Sequence, residues 1–201
     1  MTRWTPLIVF RNRRRNRSPE TKGYWSDGVM EPEAVVFSGS RLCEVDRAVI
    51  DELKARAAAR ADGHARLCLH GSEADAVHEM IIVHPKRRYV QPHRHDTQAE
   101  SFLAIEGAML VVLFDGRGGV TRQFRMAAEA EAECFLCRLP PGQFHTMIPL
   151  SDPVVFLETT SGPFNADTHN TFASWAPEPG DRSGVERFVR DLLGDGPDGT
   201  E

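Results

Sequence analysis

The sequence predicts an all-β fold, a sandwich or a barrel, with one short helix before it and another after it. Between residues 65 and 160, eight or nine short strand-like runs follow one another, separated by turn-forming Gly, Pro and Asp residues. No helical pattern interrupts them, which is typical of an antiparallel β domain rather than of alternating strands and helices. A chain of 201 residues fits one such domain.

The flanking segments have the spacing of amphipathic helices. Glu44 to Ala61 predicts a helix that buries four residues along one face: Val49, Ile50, Leu53 and Ala57. Gly184 to Leu193 predicts a second helix with its own apolar face: Val185, Phe188, Val189 and Leu192. Within the β region, Asp115 to Gly119 (DGRGG) separates two alternating runs and predicts a hairpin.

Composition divides the chain into three expected regions. Residues 1–40 form a basic, weakly ordered extension, residues 41–180 hold the first helix and the β domain, and residues 181–201 hold the second helix and an acidic tail. Residues 1–22 have a net charge of +6 and the remainder −11, which argues against a nucleic-acid-binding body. The run RNRRRNR at 11–17 is interpreted as a solvated tail, because no aromatic or helical pattern accompanies its charge. Met30 precedes the first organised segment, so whether residues 1–29 belong to the functional protein is left open.

Two further sequence features concern location and redox chemistry. No apolar run approaches the roughly 20 residues of a membrane span, and a basic run follows TPLIVF where a signal peptide would have its cleavage site. A cytoplasmic protein is therefore predicted.

Cys134 and Cys137 form a CxxC, but a spacing of three on a strand would point the sulfurs to opposite faces, and no second CxxC exists. Buried free thiols are expected.

The strongest functional pattern is a set of three histidines and one glutamate. His93 and His95 would share a strand face with Tyr89 and Gln91, and Glu100 would join them if the chain reverses through DTQA and pairs the next strand. His145 follows a ProProGly turn 45 residues later. Burying these groups without a cation is costly. Their nitrogen and oxygen atoms suit one divalent Fe, Mn, Ni, Co or Zn ion, with open positions for water or substrate.

These residues resemble the two motifs of the cupin superfamily. His93-x-His95-x₄-Glu100-x₆-Gly107 resembles the first motif and Pro140-x-Gly142-x₂-His145 the second. The resemblance implies a double-stranded β-helix, or jelly-roll, barrel that holds a metal ion at these four residues. Arg87 stands where the first motif has its opening glycine, and Pro149 stands where the second often has asparagine.

The chain is also similar to the WbuC family of cupin-fold metalloproteins over roughly residues 44 to 180. The similarity includes YVQPHRH (89–95), ETTSGPF (158–164) and WAP (175–177). Genomic context links that family to surface-polysaccharide (O-antigen) gene clusters. The resemblance thus implies a saccharide-type substrate, and cupin barrels often pair through edge strands, which makes a homodimer a further expectation.

Several other residues are candidates for substrate chemistry. Glu158, Tyr89 and His70 are candidates for moving a proton, and Arg66 and Gln91 for binding substrate. Glu158 could instead pair with Arg66. The remaining histidines are expected in turns or at the surface: His64, His78, His84 and His169.

The function has several interpretations at this level. A metal-dependent isomerase, epimerase or lyase, an iron-dependent oxygenase, and a metal-dependent binding or regulatory module without turnover all fit the pattern. An epimerase that works without a metal fits least, because the ligand set is complete.

Overall fold

The fold was established from a computed structural model, which describes residues 34–38, 42–128, 132–165 and 169–194. Within these ranges the chain forms two α-helices and eleven β-strands. In chain order these are β1 (Val35–Phe37), α1 (Arg47–Ala58), β2 (Ala65–Cys68), β3 (Val77–His84), β4 (His93–Arg94), β5 (Glu100–Glu106), β6 (Ala108–Phe114), β7 (Val120–Ala127), β8 (Leu136–Leu139), β9 (Phe144–Pro149), β10 (Val154–Ser161), β11 (Thr171–Phe172) and α2 (Arg182–Leu193). No helix in the described part of the chain is long and apolar enough to cross a membrane.

The strands form two sheets that enclose the core. The first sheet has six strands in the order β1-β2-β3-β10-β5-β8, and the second has five in the order β11-β4-β9-β6-β7. The eight strands from β3 to β10 divide equally between the sheets, and apart from the β6–β7 hairpin, strands adjacent in the chain lie in opposite sheets. This is the strand arrangement of a jelly roll. The chain has the cupin fold that its two motifs predict.

Both predicted helices are present. The Asp46 side chain accepts a hydrogen bond from Val49 N at 3.1 Å, so α1 begins after Asp46 rather than at Glu44. The four predicted core residues of α1 are buried, and they pack with apolar side chains of β2, β3 and β10 on the outer face of the six-stranded sheet. The second helix starts after Asp181, whose side chain accepts from Gly184 N at 3.0 Å. Only Val189 of its four predicted residues is fully buried.

Three local predictions are wrong. Val35–Phe37, placed in the weakly ordered extension, is a strand that runs parallel to β2. Within RYVQPHRH, only His93 and Arg94 are in a strand, because β4 is limited to short pairings with β9 and β11. The two-residue strand β11 was missed, since Thr171 and Phe172 are too few to show alternation. The basic segment at 1–22 lies outside the described residues.

The two departures from the cupin motifs contact each other. Arg87 has a φ of 58°, which is the left-handed conformation that favours glycine. Its backbone N–H donates a 3.0 Å hydrogen bond to the carbonyl oxygen of Pro149. The turn before the first motif therefore keeps the backbone conformation of a glycine, although an arginine occupies the position.

We expect Arg87→Gly to leave the free energy of unfolding unchanged or to raise it by up to about 1 kcal/mol, because glycine removes the left-handed strain. The neighbouring Lys86→Gly is the matched control. Lys86 is also exposed but has no positive φ, so its replacement should cost about 0.5–1 kcal/mol. Urea unfolding of both variants measures the contrast, and equal losses would contradict the strain argument.

Candidate metal centre

The four predicted ligand residues meet at one end of the barrel. His93 is in β4 and pairs directly with His145 of β9, while His95 follows β4 immediately. Glu100 begins β5, which belongs to the opposite sheet and pairs with β10 and β8. The predicted reversal that would pair Glu100 with the histidine strand is therefore wrong. The carboxylate instead reaches the histidines across the barrel, so the cluster joins the two sheets.

A tight turn holds the second motif against the first. Gly142 has a φ of 80°, which an L side chain rarely adopts, and the turn places His145 one residue inside β9. The Gly142 N–H donates a hydrogen bond to the carbonyl oxygen of His95 at 2.8 Å. The backbone of one ligand residue is thus tied to the turn that positions another.

Each ligand histidine uses its Nδ1 atom in a contact with a backbone carbonyl. His93 Nδ1 lies 2.9 Å from Gln91 O, His95 Nδ1 lies 2.7 Å from His169 O, and His145 Nδ1 lies 3.0 Å from Gln143 O. A carbonyl oxygen can only accept, so the proton of each neutral ring belongs on Nδ1. The Nε2 atom of each ring then carries a lone pair, which is the form of histidine that binds metals.

The remaining atoms of the cluster fit a cation. Glu100 Oε2 lies 3.0 Å from His145 Nε2 and 3.3 Å from His95 Nε2, yet within the described chain none of these three buried atoms has a well-aligned hydrogen bond. The four ligand atoms lie within 4.8 Å of one another. Two atoms bound to one transition-metal ion are separated by at most about 4.4 Å. Small movements would therefore bring all four onto one ion.

The electrostatics of the cluster also favour positive charge. Burial raises the pKa of Glu100, but His145 and His95 outweigh it and lower the pKa below its ordinary value. Burial alone would lower the pKa of His95, yet the Glu100 carboxylate raises it overall. Burial, followed by His145, lowers the pKa of His93 to about 4. The carboxylate is thus stabilised as an anion, and His93 is held neutral.

The cluster opens into a cavity of about 460 Å³ inside the barrel. On the six-stranded sheet, register places interior side chains of β2, β3, β10 and β5 in three successive cross-strand rows. The first row is Arg66, Ile82, Phe156 and Ala104; the second is Cys68, Met80, Glu158 and Phe102; the third is His78, Thr160 and Glu100. Glu158 therefore lies in the row between those of Arg66 and Glu100.

Four of the five other candidate residues line this cavity: Arg66, His70, Gln91 and Glu158. Burial raises the pKa of Glu158 to about 8, and the Glu100 carboxylate beside it acts in the same direction. His70 is buried and hydrogen-bonds through Nδ1 to the backbone of Glu79. The cavity thus holds ionisable groups besides the four-residue cluster.

Tyr89 is the candidate that the structure places elsewhere. Its hydroxyl donates a 2.6 Å hydrogen bond to Pro177 O, and its ring contacts Phe188 of α2. The prediction that Tyr89 shares the inward face with Gln91 and His93 fails because residues 89–92 are not in a strand. Tyr89 fastens the C-terminal segment to the barrel.

The histidines expected at the surface or in turns are in fact part of the interior. His64, His78 and His84 are buried, and His78 and His84 line the cavity. His78 stacks on His70 with ring centroids 4.1 Å apart. His169 lines the cavity and supplies the carbonyl that orients His95. On strand β3, alternation from the inward Met80 would have predicted that His78 and His84 also point inward. The role of His169 gives no sequence signal, because it depends on a backbone carbonyl, which every residue has.

The cysteines are free thiols, but only Cys68 is fully buried. Cys134 precedes β8, and both it and Cys137 pack against the same hydrophobic core, which includes Phe102. The opposite-face argument is therefore wrong, since the two residues do not share one strand. Burial, followed by Cys134, raises the pKa of Cys137 to about 12, which disfavours its thiolate.

Three partly exposed aromatic rings belong to the cavity lining. Phe37, Phe164 and Phe172 line the cavity and remain 38%, 38% and 54% exposed. Each ring contacts a cavity histidine, with centroid distances of 5.6 Å to His70, 4.9 Å to His169 and 6.1 Å to His93, respectively. A ligand entering the polar interior would pass these three rings.

Comparison with known proteins gives a family of unassigned activity and distant structural neighbours. A family described as "Domain of unknown function (DUF6016)" matches residues 45–126, less than half of the chain. No curated protein matches the chain significantly.

Among solved structures, the chain is similar to KdgF from Halomonas sp., with 15% identity, 52% of this chain and 82% of that one covered, and a TM-score of 0.40. It is also similar to the capsular polysaccharide assembling protein CapF from Staphylococcus aureus, with 14% identity, coverage of 54% and 31%, and a TM-score of 0.45. A cupin-superfamily sugar phosphate isomerase from Silicibacter pomeroyi matches with 16% identity, coverage of 44% and 52%, and a TM-score of 0.36.

The buried pair His64 and His84 predicts how stability depends on pH. Their ring centroids are 5.1 Å apart. Burial lowers the pKa of His64 to about 4, with Arg88 and Arg66 acting in the same direction, and burial also lowers the pKa of His84. An unfolded histidine titrates near pH 6.5. Between pH 6.5 and 4 the unfolded chain therefore binds more protons, and stability should fall as the pH falls.

We expect His64→Gln to flatten this loss by up to about 1.4 kcal/mol per pH unit between pH 6.5 and 4.5. Urea unfolding of the wild type and the variant at a series of pH values measures the difference. Parallel curves would show that His64 is not held neutral in the folded state.

Proposed function

We propose that the protein is a mononuclear metalloprotein of the cupin type that binds one divalent transition-metal ion through His93, His95, Glu100 and His145. The observation that carries the proposal is the set of three Nδ1–carbonyl contacts, which leave Nε2 of each ring with its lone pair in a cluster whose four ligand atoms, one from Glu100, lie within 4.8 Å of one another. No group in that set can donate a proton to the others while all three rings are neutral. A cation satisfies them all.

When bound, the ion would supply Lewis acidity toward oxygen atoms of a small ligand. The ligand set of three imidazoles and one carboxylate suits Fe, Mn, Ni, Co or Zn rather than Ca or Mg. The hydrogen-bonded carbonyls of Gln91, His169 and Gln143 hold the three rings in orientation.

We propose that Glu158 moves a proton on the bound ligand. It is a cavity-lining carboxyl group that is not part of the four-residue cluster, and it lies one row away from Glu100. His70, with Nδ1 bonded to the backbone of Glu79, is the second candidate for this role. Gln91 also lines the cavity and could donate or accept a hydrogen bond.

The substrate class that fits is a small, oxygen-rich, saccharide-type molecule. A cavity of about 460 Å³ suits one small molecule, and a few polar groups with an aromatic wall are the usual composition of such sites. The WbuC-family resemblance supports a role in polysaccharide (O-antigen-like) metabolism. The cytoplasmic location, the region boundaries near residues 40 and 180, and a homodimer stay predictions.

Metal analysis tests the central claim. Protein produced without a His-tag should contain near-stoichiometric metal, and His145→Ala and Glu100→Gln should lose it. Loss of a supporting contact alone usually weakens metal affinity 10- to 100-fold, so loss of a ligand should do at least as much. Elemental analysis measures the content, and the identity of the metal would direct the search for a reaction.

The cavity offers matched controls for both residue types. His70→Ala and Glu158→Gln also remove a cavity histidine and a cavity carboxylate, and both should retain the metal. Absence of metal from the wild type after anaerobic reconstitution would refute the proposal, as would equal loss in the two control variants. Metal retention without turnover by the wild type would favour the binding or regulatory module instead.

A further inference from the structure

The cavity contains a cationic side chain that is not part of the four-residue cluster. Arg66 lies on β2, opposite Ile82 of β3, and its side chain lines the cavity. Among the described residues that line the cavity, it is the single lysine or arginine. The positive charge of the cavity wall is therefore concentrated at one position.

The guanidinium group of Arg66 forms no ion pair within the described part of the chain. Its Nε atom is buried and has no hydrogen-bond partner within the described part of the chain. Glu158, the partner that the sequence allowed, forms no ion pair with it within 4.0 Å in the described structure. A buried donor without a partner destabilises the protein unless a ligand or water satisfies it.

The charge of Arg66 acts on groups around the cavity. The pKa of Glu158 is raised by burial and by Glu100, and Arg66 opposes both. The pKa of His70 is lowered first by burial and also by Arg66. Both groups belong to the cavity wall, so the field of the guanidinium extends into the space that a ligand would occupy.

The balance of charge in the interior favours an anion. A divalent cation and Arg66 together outweigh Glu100 and Glu158, even with both carboxylates ionised. Glu73 also lines the cavity, but it is exposed, so solvent and salt screen its charge. The metal-loaded interior therefore keeps a positive charge that a neutral sugar would leave uncompensated.

We propose that Arg66 forms an anion subsite and that the ligand is a small saccharide-type compound carrying a carboxylate or phosphate group. This inference rests on the proposed function, because the sugar oxygens would face the metal cluster while the anionic group binds Arg66. The planar guanidinium binds either anion through two parallel hydrogen bonds. Glu158, whose row lies between those of Arg66 and Glu100, would then face the middle of the ligand.

Three ligands that share one ring test the subsite: glucose, glucuronate and glucose 6-phosphate. Titration calorimetry on metal-loaded wild-type protein should show at least one of the two anions binding about 10- to 100-fold tighter than glucose, which is the range of a charged hydrogen-bonded pair. Arg66→Gln should remove this preference and leave the metal content unchanged. The ratio between the two anions distinguishes carboxylate from phosphate.

Two further variants separate a subsite from a general charge or folding effect. Arg122→Gln removes an exposed arginine of β7, outside the cavity, and should keep the preference. Arg66→Lys keeps the charge without the bidentate geometry and should keep part of it. Thermal unfolding of each variant shows whether it is folded.

The outcomes distinguish this inference from the metal proposal. Three results would overturn the subsite: equal affinity for glucose and both anions, no binding of either anion, or a preference that persists in folded Arg66→Gln. None of these results changes the metal content, so the metal proposal would stand. An Arg66-dependent preference in protein that binds no metal would keep the subsite and refute the metal proposal.

Discussion

At one end of the barrel, three imidazole rings each have Nδ1 within hydrogen-bonding distance of a backbone carbonyl. The ability of the site to bind a cation depends on these three contacts. With Nδ1 engaged at 2.7–3.0 Å, Nε2 of each neutral ring carries the lone pair, and the Nε2 atoms of His95 and His145 lie 3.3 and 3.0 Å from Glu100 Oε2. A carboxylate and the lone pairs of neutral imidazole nitrogens are all acceptors, so they do not attract one another unless a cation lies between them. The protein thus buries a set of acceptors that are mutually compatible only around positive charge.

The jelly roll supplies the positions from which these groups converge. His93 and His145 face each other across one pair of strands, whereas Glu100 comes from the opposite sheet. The interior row of the six-stranded sheet that contains Glu100 is polar throughout, since its other members are His78 and Thr160. The same strands that seal the core therefore carry the site, which explains why a compact barrel can hold so many ionisable side chains in one cavity.

Sequence reasoning succeeded where a residue's own pattern carries the information. Alternation and turn residues predicted the strands, helical spacing predicted the buried face of α1, and the spacing of His93, His95, Glu100 and His145 predicted which groups meet. It failed where the answer depends on a distant partner. Tyr89 was assigned to the cavity by strand alternation, whereas its hydroxyl bonds to Pro177, 88 residues away, a contact that no local pattern shows. The error for His78 and His84 was of another kind, because alternation from Met80 already points both side chains inward.

The orientation of the three clustered histidine rings has a consequence for how the site can change. All three supporting acceptors belong to the peptide backbone, so the identity of the side chains at 91, 143 and 169 is largely free to vary without turning a ring. An inserted or deleted residue near position 169 would instead displace the carbonyl that holds His95. Position 169 would then tolerate substitution but not a change in chain length, and a scan of point mutations alone would overlook its importance.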